Sequence, residues 1–277
     1  MKLNITASLI LTGLMALAAV NSAWSQVDYT GAPLSYTANF NSLGTTGPTM
    51  SWANNSTLPG WYLLASSSSF GSSGVPTTLN VASMGGETSA AAYNVGTNGV
   101  DPLTTRALGW IVASTTGTAY IGLQLQNTSG SSYSGDVTLN YTIGQFSAKN
   151  AASETVTTGY KLLASTGDQL NTPSYTTLET IVNPNLSNAG GGIDGFASGN
   201  STSEQDTIDL SSTPWANNQF LWFEVTVPRE ASGNNELLAI DNMTVTINPV
   251  PEPSAMALTG LGLAGLGFIV RRRPRLN

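Results

Sequence analysis

The chain has no cysteine and no histidine among its 277 residues, and only 9% of them are charged. Without cysteine there are no disulfides and no thiolate metal sites. Without histidine the commonest general base and metal ligand near neutral pH is missing, which excludes Ser–His and Cys–His nucleophile systems. Basic residues are scarcest of all. Between positions 27 and 249 there are four, Arg106, Lys149, Lys161 and Arg229, against 15 acidic ones, a net charge of −11 for that stretch. Such a field repels phosphate backbones and anionic headgroups, so nucleic acid is excluded as a partner. What is present is a 40% hydrophobic share, enough to bury a core, and a polar load carried by hydroxyl and amide side chains. That is not the composition of a disordered chain.

The first residues, "MKLNITASLILTGLMALAAVNSAWSQ", combine Lys2, an apolar run from about Ile5 to Val20, and small residues at Ala23 and Ser25. They read as a signal helix over 1–25, cut between Ser25 and Gln26 after passage through the Sec machinery. The apolar run is short for a membrane span that stays in place. The interior is therefore expected outside the cytoplasm.

The last residues pose the complementary question. Ser254 to Val270 is free of charge and reads as a single transmembrane helix, about 25 Å long against the roughly 30 Å hydrocarbon layer. Gly260, Gly262, Gly265 and Gly267 weaken it further and permit close approach of another helix. Arg271, Arg272 and Arg273 follow as a membrane stop and stay cytoplasmic, leaving the body on the far side. Before the helix, Pro251, Glu252 and Pro253 force extended backbone and display the glutamate at the membrane surface. This combination over 249–277 resembles the PEP-CTERM sorting signal of bacterial exported proteins. The resemblance implies recognition by an exosortase, removal of the tail near Pro-Glu-Pro, and delivery of the body to the cell surface or the exopolysaccharide matrix. Membrane anchoring is then transient.

Residues 26–248 carry the alternation of half-buried strands. In "YIGLQLQN" Ile121, Leu123 and Leu125 share one face and Gln124 and Gln126 the other; "DVTLNYTIG" sets Val137, Leu139, Tyr141 and Ile143 against Thr138, Asn140 and Thr142. "QFLWFEVTVP" and "ELLAIDNMTVTIN" continue the pattern, with Met243, Val245 and Ile247 inward. Clusters such as "NTSGSSYSGD", "NAGGGIDG" and "REASGNN" separate them with turn residues at hairpin spacing. No sustained helical period appears in this stretch. The expectation is an all-β domain, an antiparallel β-sandwich of jelly-roll type. "GWYLLAS" at 60–66 echoes "GYKLLAS" at 159–165, but nothing recurs at the short period of a solenoid.

The segments "LSYTANFNSLGTTG", "TLPGWYL", "RALGWIVASTTGTAYIGLQLQNTSG" and "FLWFEVTV…ELLAIDNMTVT", in that order, resemble a jelly-roll-like domain of exported bacterial proteins that closes on "L-A-I-D-D". The resemblance covers 34–247 and implies a fold without a shared chemistry. Asn242 stands where the second aspartate of the closing motif falls, which weakens any cation site at that corner.

Candidate chemistry is sparse. Paired carboxylates for glycan hydrolysis would come from Asp194, from Asp206 with Asp209, or from Glu224 with Asp241 on strands expected to be neighbours; the first three read as turn and surface residues. Glu224 and Asp241 are also the candidates for a structural calcium, though no acidic calcium loop is present, and no other cofactor is expected. An indole face can stack on a sugar, and Trp215 in "SSTPWANNQ", with Asn217 and Asn218 beside it, is the candidate glycan contact. Outward Thr138, Thr142, Thr244 and Thr246 are ordinary for a sandwich exterior and only a weak sign of ice binding. The sequence thus reads as an exported, exosortase-sorted surface or matrix protein with a structural or adhesive body and no catalysis. Exopolysaccharide is a candidate partner. A carbohydrate-binding module is the alternative, ahead of a hydrolase.

Overall fold

The computed structural model describes residues 26–44, 47–66, 74–83, 89–96, 105–112, 117–147, 154–164, 170, 175–182, 193–229 and 236–249. The signal helix, Ser25, the Pro251-Glu252-Pro253 motif, the 254–270 span and Arg271–Arg273 lie outside them. Among the described residues there is no helix long and apolar enough to cross a membrane.

Among the described residues fourteen strands follow one another. The first seven are β1 (Val27–Tyr29), β2 (Leu34–Ala38), β3 (Thr49–Ser51), β4 (Trp61–Ala65), β5 (Thr78–Ser83), β6 (Ala91–Gly96) and β7 (Arg106–Ile111). The others are β8 (Ala119–Asn127), β9 (Asp136–Gln145), β10 (Thr155–Leu163), β11 (Thr176–Val182), β12 (Ser201–Asp209), β13 (Phe220–Val227) and β14 (Leu237–Ile247). They form two sheets. The first runs β1-β8-β13-β10-β11, with β4 beside β8; the second runs β12-β9-β14-β7-β6-β5-β3, with β2 beside β14.

Alternation along each strand decides what lies between the sheets. Ile121, Leu123 and Leu125 of the first sheet are buried in one core cluster with Val137, Leu139, Tyr141 and Ile143 of the second, and Met243, Val245 and Ile247 join them. The inward faces are as the sequence pattern predicts. The opposite face of the second sheet is dry where β6, β7 and β14 meet. There Tyr93, Val95, Ile111 and Phe146 cluster with Leu237 and Ala239, and Phe196 packs edge-on against Phe146 at 4.8 Å.

Two expectations need correction. The sandwich is not wholly antiparallel, because β1 runs parallel to β8 and β5 parallel to β6. Successive strands are also not hairpins at the places the turn clusters suggested. β8 belongs to the first sheet and β9 to the second, and the same holds for β13 and β14. A turn-rich connector reverses the chain equally well within a sheet or across the core, so its composition does not say which.

β14 organises the second sheet. One of its edges pairs with β9 throughout; the other pairs with β7 over Leu237–Ile240 and with β2 over Met243–Ile247. Between these halves the register with β9 slips between Asp241 and Thr244, a β-bulge. Asn242 takes φ +52° there. Asparagine tolerates this left-handed backbone better than most residues, which gives a local reason for an asparagine at this corner.

Candidate functional site

The outward face of the first sheet is unusual for its burial. Tyr120, Gly122 and Gln124 on β8 alternate with the core residues. The register places Trp222 opposite Gln124 and Lys161 opposite Trp222, while Glu224 lies opposite both Gly122 and Gly159 and Tyr62 opposite Gly122. Gln124, Lys161, Trp222 and Glu224 are all buried. A solvent face would leave them open, but here Leu170 packs with Tyr62, Phe220 and Trp222 as a second apolar cluster over the sheet. Gly122 makes room for this lid residue: a Cβ at that position would overlap the Leu170 side chain.

The polar groups beneath are partly paired. Tyr62 donates its hydroxyl to Gln124 Oε1 at 3.1 Å and tilts against the Trp222 ring at 4.7 Å. Thr226 Oγ1 donates to Glu224 Oε1 at 2.9 Å. Lys161 Nζ sits 4.1 Å from the centroid of the Tyr175 ring, a cation–π contact. Burial lowers the Lys161 pKa and nearby Glu224 opposes that shift; burial raises the Tyr120 pKa and Glu224 adds to it. Two donors remain: the Trp222 indole N–H and the Gln124 Nε2 amide have no acceptor among the described residues. A buried donor left unpaired costs about 1–3 kcal/mol.

Glu224 and Asp241 do not meet. The expectation of neighbouring strands fails because β13 is central in one sheet and β14 in the other. Asp241 shares the parity of Leu237 and Ala239, on the outer side of the second sheet. It is 2% exposed, and neither carboxylate oxygen makes a well-formed hydrogen bond among the described residues. Burial pushes its pKa up to about 6, the Asn242 amide partly opposing. The two carboxylates can form neither an acid–base pair nor one ion's ligand set. Among the described residues no group of three acidic side chains could hold a metal.

Asp28 shares the outward face of the first sheet through its register with Gln126. It lies four residues along and two strands across from Glu224, on the order of 16 Å, beyond the roughly 5–9.5 Å of glycosidase pairs. The remaining candidate carboxylates have structural partners. Asp194 accepts the Phe196 amide at 3.0 Å, Asp209 the Ser211 amide at 2.8 Å, and Asp206 the Tyr141 hydroxyl at 2.7 Å.

Trp215 is core, not surface. It is fully buried, stacks on Tyr29 at 6.0 Å and donates its indole N–H to the Gln219 carbonyl at 2.8 Å. Its face is covered, so it offers no platform to a sugar. Asn217 Oδ1 instead accepts the Gly130 amide at 2.9 Å, and Asn218 holds a turn at φ +65°. The outward threonines lie in register on the second sheet, Thr138 between Thr246 and Thr207, and Thr244 beside Thr37. The sequence pattern could not show that Trp222 lies opposite Gln124 and under Leu170, since these residues come from three distant segments.

Residues 249–273 match the PEP-CTERM protein-sorting motif. That motif marks an exported substrate that is anchored in the membrane, recognised by an exosortase and then processed. No curated protein matches the chain. Among solved structures, a cyclase from Fischerella sp. TAU is 14% identical at a TM-score of 0.45, over 80% of this chain and 100% of that one. The K3 cleaved adhesin domain of Lys-gingipain from Porphyromonas gingivalis is 13% identical at 0.35, over 67% and 90%. A xylan-binding domain from CBM 22 is 9% identical at 0.35, over 70% and 90%. These similarities assign the chain neither an activity nor a ligand.

Proposed function

We propose that the chain is an exported cell-surface or exopolysaccharide-matrix protein, released from its tail by an exosortase, whose β-sandwich body acts by adhesion and not by turnover. The match over 249–273 supports the delivery route. The separation of Glu224 from Asp241 into different sheets supports a body without acid–base chemistry at those residues. The test is mass spectrometry of both termini of the protein recovered from its host. The expected product begins at Gln26 and ends near Pro251; with Pro251, Glu252 and Pro253 changed to alanine, the tail is retained. A triple variant of unchanged size and destination would sink the reading.

One observation favours a second reading, a carbohydrate-binding face on the first sheet. Tyr120 and Tyr175 stay half-buried on that face and offer their rings to a sugar, while Trp222 and Gln124 are sealed below. The protein should sediment with exopolysaccharide from its own host, and Tyr120→Ala should weaken that binding while thermal unfolding stays cooperative. Equal binding by the variant would reject this face as the site.

A further inference from the structure

β12 is an end strand of the second sheet. It pairs with β9 over all 9 of its residues, and no strand lies on its other side among the described residues. Just before it, the Asn200 carbonyl accepts the amide of Gln145 on β9 at 2.9 Å. In an antiparallel ladder adjacent residues turn their N–H and C=O to opposite sides. Counted on from Asn200, it is Thr202, Glu204, Asp206 and Ile208 that bond β9, while Ser203, Gln205 and Thr207 aim their backbone groups at the open side. The same three residues are exposed. Such a row of outward groups on extended backbone is a template for one more strand.

The side chains decide which strand fits. Glu204 and Asp206 share the face of β12 that turns toward the first sheet, the face on which Ile208 enters the core. Both stay half-buried, and Asp206 is fixed by the Tyr141 hydroxyl at 2.7 Å. β11, an end strand of the first sheet, runs close to β12. Burial raises the Glu204 pKa, and the charges of Glu179 on β11 and of Asp206 add to the rise. Three carboxylates thus gather where the open edges of the two sheets meet.

These charges bar the pairing of two copies. Antiparallel β12 on β12, centred on Gln205, would set Glu204 directly against Asp206 of the second copy, and the reverse. They draw instead a strand of opposite sign, on a body with four basic against 15 acidic residues between 27 and 249. We propose that β12 takes up an extended basic peptide as an added antiparallel strand. Its backbone bonds Ser203, Gln205 and Thr207, and its lysine or arginine side chains, two residues apart, lie opposite Glu204 and Asp206. This edge is separate from the sorting tail and from the outward face of the first sheet, and it gives the body a protein partner in addition to any polysaccharide.

The test titrates the protein, as its host delivers it, with an acetylated and amidated peptide of nine residues alternating threonine and lysine, at low ionic strength. One control peptide has glutamate for lysine. The other has proline for threonine, which keeps the charge but removes the N–H groups that face β12. The lysine peptide should bind saturably and at least tenfold more tightly than either control, and hydrogen exchange should slow within 201–209. Glu204→Lys should lower the affinity at least tenfold and the milder Glu204→Gln at least threefold. Asp209→Asn, on the opposite face of β12 and exposed, should leave it within about threefold. No saturable binding, a proline peptide that binds equally well, affinity unchanged in both Glu204 variants, or protection confined to residues outside 201–209 would each overturn the proposal.

Discussion

Replacing Asp241 with asparagine should stabilise the protein at neutral pH and do nothing in acid. The carboxyl is 2% exposed on β14, has no well-formed hydrogen bond among the described residues, and has a pKa pushed up to about 6 by burial, from an ordinary value of 3.8. The folded chain therefore keeps its proton to higher pH than the unfolded chain does. Stability from this group is complete below about pH 4, falls as pH rises to about 6, and is flat above that. A difference of about two pKa units corresponds to about 3 kcal/mol at pH 7. Asparagine has the same shape without the charge, so the variant should recover that amount, a rise of about 6–12 °C in Tm for a body of this size. Thermal unfolding of both proteins at about pH 4 and pH 7, followed by circular dichroism, reads the difference directly. A variant Tm at pH 7 equal to or below that of the parent would refute the reasoning, because it would mean that the native state already compensates the Asp241 charge. An equal gain at both pH values would refute it too, since the effect would then not come from ionisation.

Trp215→Ala should act on the fold, not on a ligand: removing a fully buried ring stacked on Tyr29 should cost about 3–5 kcal/mol, seen as a lower denaturant midpoint. At the β14 bulge, Asn242→Val should cost about 1–2 kcal/mol because a β-branched residue is strained at φ +52°, while Asn242→Gly should be close to neutral; chemical denaturation separates the two. Gly122→Ala should force Leu170 off the first sheet at a cost of about 1–3 kcal/mol, and faster hydrogen exchange of the Leu170 amide would report the opening.

The alternation of Ile121-Leu123-Leu125 and of Val137-Leu139-Tyr141-Ile143 was legible in sequence because a strand's side chains switch faces every residue, whatever the strand later pairs with. Trp215 misled for the opposite reason. Its Pro, Ser and Asn neighbours describe a loop, as it is, but its bridge partner Tyr133 and its stacking partner Tyr29 lie far away along the chain and bury it. Glu224 and Asp241 are close in sequence, yet β13 belongs to the first sheet and β14 to the second.

The amino-acid sequence alone determined the sorting signal, since an extended Pro-Glu-Pro, an apolar span and an arginine cluster need no tertiary partner to be recognised. It likewise determined which strand residues face inward, because period-two patterning is a local property. Only the tertiary structure decided which strands became neighbours, that Leu170 covers Trp222, and that Tyr36 and Trp61 lie against each other. Those juxtapositions join segments whose separation in sequence carries no record of their contact; they are settled when the two sheets close on a common core.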